Sequence, residues 1–205
     1  LQAVFASSAK ELSAASAVIL PGVGAFGDAM DTLIKLDLVS ALQEIANSTK
    51  PLIGICLGMQ LMMTESHEFG RHRGLGIIEG EVVRLDVSTG IPTELKVPQI
   101  GWNQIFSENS NNDPSGAQLD DFPWKSPLLE GLPNGEYMYF IHSYYTKPVD
   151  SNVVISTSQY GDLEFCSTIS HGSIFACQFH PERSGPAGLR IYQNLAKLIA
   201  TIDGG

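Results

Sequence analysis

Basic residues are scarce in this chain: 12 Lys and Arg stand against 22 Asp and Glu, a formal charge of −10 over 205 residues. Nucleic acid and anionic membrane surfaces are gripped by clustered cations, so neither is expected as a partner, although a local basic patch is compatible with the balance. Cysteine is scarcer still. Cys56, Cys166 and Cys177 are too few for a disulfide scaffold, and an odd count fits a reducing compartment with at least one free thiol. Long apolar runs are missing too. The longest, Pro51–Met63, is interrupted by Gln60 and falls short of the roughly 20 residues that span a bilayer. No signal-peptide pattern opens the sequence, which begins at Leu1. The expected location is cytoplasmic, with organellar targeting left open. Charged residues make up 17% and apolar residues 43%, which suits a folded domain rather than a solvated chain. One domain of this length buries about 70% of the surface exposed by its unfolded chain.

The first half alternates short apolar runs with helical patterns. Ala3–Phe5 and Ala17–Leu20 read as strands, the second ending in the turn Pro21-Gly22-Val23-Gly24. Gly27–Asn47 reads as a helix broken near Asp37, Leu52–Ile55 as a buried strand, and Gly58–Glu65 as a helix. This order predicts an α/β fold with a central, mostly parallel sheet flanked by helices. The second half is richer in hairpins, with strands expected at Val82–Leu85, Ile100–Phe106, Tyr137–His142, Val153–Gln159, Glu164–Ser170 and Ile174–Phe179. An amphipathic helix, Leu189–Ile202, closes the chain with Leu189, Tyr192, Leu195 and Ile199 on one face. Ser107–Gln118, rich in Ser, Asn, Asp, Gly and Pro, reads as a surface loop within a single domain.

Gly54-Ile55-Cys56-Leu57-Gly58 lies between a strand and a helix with the spacing of a nucleophile elbow, Cys replacing Ser. The sharp turn crowds its neighbours, and the flanking glycines relieve the crowding. A sulfur at a helix N-terminus would be favoured as thiolate. The plainer alternative is a core cysteine beside small residues. A nucleophile needs a base, and His180 follows a strand and precedes Pro181 and Glu182. Pro181 would stop the strand, letting Glu182 accept the second imidazole N–H and set the tautomer. A lone strand-end histidine is more often structural. Pro21–Gly27 follows another strand, and ligands of parallel sheets bind beyond strand carboxyl ends. Its N–H groups, with that of Leu57, could form an oxyanion hole. It lacks the Lys-Ser/Thr of a phosphate loop, and a plain turn is the alternative.

Leu20–Met30, Gly54–Leu61, Pro98–Asn103, Tyr139–Tyr144 and Gln178–Gly185 together resemble the class I, Cys-His-Glu, glutamine amidotransferases. The narrower resemblance is to the glutaminase component of imidazole glycerol phosphate synthase. It implies that Cys56 attacks the glutamine side-chain amide and that His180, oriented by Glu182, moves the protons. It implies an oxyanion and substrate loop of Gly22, Val23 and Gly24 with Leu57. Gln60 and Glu68 would bind the glutamine α-substituents, and Ser143 and Tyr144 its carboxylate. It implies a (β/α)₈ cyclase partner, as separate subunit or fused domain, docking on Pro98, Gln99, Trp102 and Arg183, and it implies no cofactor. For Glu68 a solvated loop carboxylate is the alternative; for Trp102, a core tryptophan. Arg183 stands where many relatives carry Lys. The family's opening strand, with Asp-Tyr-Gly-x-Gly-Asn, and the helix after it have no counterpart here, so an exposed sheet edge is expected.

Cys166 and Cys177 read as small core residues, and His142 as a support for the Ser143 segment. No Cys or His spacing reads as a zinc site. Two other readings stay open: a different class I amidotransferase or stand-alone cysteine hydrolase, and a catalytically impaired scaffold that regulates a partner.

Overall fold

In the computed structural model, residues 2–85, 95–107 and 124–203 are described. Helix α1 (Ala9–Ala14) precedes strand β1 (Val18–Gly22), followed by α2 (Phe26–Lys35) and α3 (Val39–Ala46). Asp37, at φ 55°, takes the chain out of α2, which is the break expected from its polar interruption. Strand β2 (Leu52–Cys56) runs directly into the short helix α4 (Leu57–Leu61). Next come β3 (Met63–Ser66), β4 (His72–Arg73), β5 (Ile78–Arg84), β6 (Gln99–Ser107), β7 (Glu136–His142) and β8 (Tyr144–Pro148). Strands β9 (Val154–Tyr160), β10 (Leu163–His171) and β11 (Ile174–Cys177) lead to α5 (Gly185–Asp203).

Seven strands form one sheet in the order β1-β2-β11-β10-β9-β6-β7. The first three are parallel, and each pairing from β11 onward is antiparallel. A second sheet, β4-β3-β5-β8, packs beside it. Every residue of β2 is buried, and its alternation divides them: Leu52 joins a core with Phe26, Leu42 and Met59, while Ile53 and Ile55 join Phe140, Phe179 and Leu195 on the other face. Among the described residues β1 pairs only with β2 and so forms one edge of this sheet. No helix among the described residues is long and apolar enough to cross a membrane.

Several expectations need correction. Ala3–Phe5 forms no strand, and Val4 and Phe5 are exposed. The helix expected over Gly58–Glu65 ends at Leu61. Met63–Ser66 instead pairs in parallel with β5, and this ladder outweighs the helical pattern. Strand β8 and the second sheet were not anticipated. In α5 the buried stripe is Ile191, Leu195 and Ile199, while Leu189 faces solvent. Of the loop expected over Ser107–Gln118, Ser107 ends β6 and the rest lies outside the described residues.

Candidate active site

Parallel pairing of β1 with β2 sets Gly22 opposite Cys56, bringing the glycine turn and the elbow to one end of the sheet. On the other side of β2, Ile55 pairs with Cys177, so the chain leaving β11 carries His180 past the same end. Cys56 has φ 52° and ψ −108°, a conformation that costs a non-glycine residue of order 1–3 kcal/mol. Its flanking glycines are required by close approach: a Cβ on Gly58 would lie 1.7 Å from the Leu20 carbonyl oxygen, and one on Gly54 would lie 2.9 Å from the Met59 nitrogen.

A cleft of about 290 Å³ lies over the sulfur, near the lower end of the usual ~300–1,000 Å³ for small-molecule sites. It is lined by Cys56 and seven more of the residues expected to catalyse or bind: Val23, Gly24, Leu57, Gln60, Glu68, Ser143 and Tyr144. Pro98, Ile141 and His142 complete the lining. Gly22 lies behind this surface, with the Leu57 side chain 2.9 Å from where its Cβ would be.

Glu68 is no solvated loop carboxylate. Its Oε2 accepts the Phe26 N–H at 2.7 Å, from 42 residues away, and caps α2 where Ala25 offers no side-chain cap. A carboxylate of the cleft lining thereby anchors the chain that leaves the glycine turn.

Also in the lining, Tyr144 has a carbonyl that accepts from both Gln60 Nε2 (2.9 Å) and His142 Nδ1 (2.9 Å). His142 is buried, and that burial depresses its pKa to about 4, so the imidazole is neutral near pH 7. A neutral ring that donates from Nδ1 needs a donor at Nε2. The atom placed 3.1 Å from Nε2 is the Gln99 Oε1, and the neutral ring requires that amide to be turned so that its NH₂ group donates there instead. His142 supports the Ser143–Tyr144 segment, as expected. Gln99 is a correction: its side chain is buried against His142 and presents nothing to a docking partner.

The His180 ring is 6% exposed, and its Nδ1 lies 2.6 Å from Glu182 Oε1. The turn that holds it, Pro181–Arg183, is fastened to β7 by Ser184, whose Oγ donates to the His180 carbonyl (2.8 Å) and accepts the Tyr139 N–H (3.0 Å). With Nδ1 on the carboxylate, Nε2 is buried and has no hydrogen-bond partner. The Cys56 thiol does not supply one. It donates to the Ile141 carbonyl at 3.8 Å. Burial pushes this thiol up to about 12, the Leu57 N–H and the Gln178 amide pull the other way, and the charge of Glu182 adds to the rise. Local activation at the helix start is therefore outweighed by desolvation in the resting chain, contrary to the expectation of a favoured thiolate.

Gln178 falls within the Gln178–Gly185 motif, but sequence reasoning gave it no role. Two residues before His180, it shares the histidine's parity along the chain, and that spacing was the available signal. Among the docking candidates, Pro98 and Arg183 are exposed. Trp102 is 56% exposed and packs edge-to-face on Tyr139, with the Arg183 guanidinium 4.5 Å above the Tyr139 ring. It is not a core tryptophan. Glu65, His67 and Glu81 could together face a cation, but Arg71 and Lys147 already pair with the two carboxylates.

The model of the family described as glutamine amidotransferase class-I matches residues 3–198. The imidazole glycerol phosphate synthase subunit HisH of Aquifex aeolicus is 41% identical over 196 residues, covering 96% of this chain and 84% of that protein. Its namesake in Sulfurimonas denitrificans is 43% identical over 196 residues, covering 96% and 86%. Among solved structures, a glutamine amidotransferase shares the fold with a TM-score of 0.64 at 16% identity, over 100% of this chain and 88% of that one. The PurLQS structure from Thermotoga maritima shares it with a TM-score of 0.60 at 16% identity, over 90% of this chain and 80% of that one. Sequence identity across nearly the whole length, on this fold, means that the chain belongs to the class I glutamine amidotransferases, in the branch of the imidazole glycerol phosphate synthase HisH subunits.

Proposed function

We propose that this chain hydrolyses L-glutamine to glutamate and passes the ammonia to a (β/α)₈ cyclase, as subunit or fused domain, that makes imidazole glycerol phosphate in histidine biosynthesis. Glutamine lies in the cleft with its ammonium toward Glu68 and its carboxylate at the backbone of Ser143 and Tyr144. Gln60 commits its NH₂ group to Tyr144 and Gln178, which leaves its oxygen as the acceptor for a substrate N–H. His180 Nε2 takes the Cys56 proton, and the sulfur attacks the side-chain carbonyl carbon. The oxyanion is met by the Leu57 N–H and by the Gly22–Gly24 turn. Losing one such donor typically costs about 2.7–4 kcal/mol of transition-state stabilisation. The tetrahedral adduct collapses as His180 returns the proton to the leaving nitrogen. Ammonia departs and a γ-glutamyl thioester remains. Water, deprotonated by His180, then cleaves the thioester to give glutamate and the thiol.

The observation that most supports this reading is the strained cysteine in the lining of a cleft that also holds the Glu68 carboxylate, beside a buried imidazole already paired with Glu182. The partner face is the outer side of β6 and β7, where Ile100, Trp102, Tyr137 and Ile141 are exposed in one cross-strand patch. The resting thiol engages Ile141 rather than His180, so glutamate release is expected to depend strongly on the cyclase and its substrate analogue. The test is glutamate release from glutamine with and without the cognate cyclase, together with Cys56→Ala. That variant should lose glutamine-dependent synthesis and keep ammonia-dependent synthesis by the cyclase. Glutamine-dependent turnover in Cys56→Ala would remove Cys56 as the nucleophile.

A further inference from the structure

Gln178 is fully buried and sits between Gln60 and the reacting sulfur. Its Oε1 is 3.2 Å from Gln60 Nε2, and its Nε2 is 3.5 Å from Cys56 Sγ. A terminal amide can be turned either way in principle, but the network fixes this one. The Tyr144 carbonyl can only accept, so Gln60 must point its NH₂ group there, and that same NH₂ group faces Gln178. Gln178 must answer with its oxygen, which sends its own NH₂ group to the sulfur. Its backbone is fixed as well, because its N–H donates to the Ser167 carbonyl at 2.9 Å.

We propose that Gln178 is a catalytic residue of this site, a buried N–H donor to Cys56 Sγ, oriented through Gln60 from the Tyr144 carbonyl, that stabilises the sulfur as a thiolate once its proton has left. The proposal rests on Cys56 being the nucleophile. The physical reason is the change in the sulfur's charge. A neutral thiol is a weak acceptor, whereas a thiolate draws a charge-assisted hydrogen bond roughly twice as strong as a neutral one. Among the groups that hydrogen-bond the sulfur, the Ile141 carbonyl favours the protonated form, because it only accepts. The Gln178 amide favours the deprotonated one. Because Gln60 lines the cleft and orients Gln178, the substrate pocket and the nucleophile share one hydrogen-bonded chain.

The test is Gln178→Met, which keeps the volume and removes the donor, made in the full chain and assayed with the cognate cyclase. The rate of Cys56 alkylation by iodoacetamide at fixed pH, taken as the difference from Cys56→Ala, should fall about tenfold, the loss of thiolate that one pKa unit represents. The kcat for glutamate release should fall about tenfold in step. If Gln178→Met fails to fold, Gln178→Asn, which withdraws the amide by one methylene, carries the same comparison. A folded variant with an unmoved alkylation rate overturns the proposal, whether kcat is retained or falls. Failure of the nucleophile reading is separate and is read from Cys56→Ala: glutamate release surviving there defeats both.

Discussion

At the residue scale, His142 shows how a buried polar group is held neutral by its surroundings. Its ring is enclosed by Phe140 and Phe165, and its pKa is depressed to about 4 from an ordinary 6.5. A depressed folded-state value means that the stabilisation is complete above about pH 6.5 and is lost as the pH falls through 4. The full difference is worth about 3 kcal/mol. Urea unfolding followed from pH 7 to pH 4 should therefore show stability falling with a slope to which His142 contributes up to one proton. His142→Gln should remove that share of the slope, whatever it costs at pH 7. Equal slopes in the two proteins would mean that His142 is not buried neutral. The candidacy of Cys56, His180 and Glu182 was legible in the sequence because each sits in a short motif with a mechanical reason for its spacing. The contacts of Gln178 and Gln99 were not. Both depend on which side chains meet across strands, and no local pattern encodes that. Reading Gln99 as a docking residue failed for this reason: its motif places it at the right edge, but the side chain turns inward to His142.

At the scale of elements, the site depends on how closely α5 approaches the turn before it. A Cβ on Gly188 would lie 1.8 Å from the Pro181 carbonyl oxygen, against backbone that cannot yield cheaply. Gly188→Ala should push α5 off the Pro181–Arg183 turn and tilt the His180–Glu182 pair. We expect a stability loss of about 1–3 kcal/mol by chemical denaturation and a larger relative loss of kcat. Wild-type stability and activity in that variant would show that the contact relaxes without cost. Element type was readable wherever one period ran unopposed, as in β2, the α2–α3 break and the β10–β11 hairpin at His171-Gly172-Ser173. It failed at α4, where an apolar run with helical spacing is captured after one turn by pairing with β5. It failed again for β8, whose five residues carry no alternation and pair with β5 and form the outer edge of the second sheet.

For the molecule as a whole, the exposed patch on β6 and β7 is the surface to test. Trp102→Ala should weaken cyclase binding more than it weakens folding, with a loss of about 2 kcal/mol or more in titration calorimetry on a folded variant. Unchanged affinity would move the interface elsewhere. The parallel β1–β2 pairing and the antiparallel hairpins of the second half were legible from strand–helix alternation and from tight spacers, whereas the second sheet arises largely from pairings between distant segments. One further property follows from the Tyr144 carbonyl. Both of its lone pairs are already engaged, by Gln60 and by His142, so it has nothing to offer an ammonium group. The lining's sole acidic side chain is Glu68. A cationic amine that entered this cleft would therefore be drawn to Glu68 and not to the Tyr144 carbonyl. Glutaramate, which keeps the side-chain amide of glutamine but lacks the amino group, would forfeit that attraction and should be hydrolysed with a raised KM.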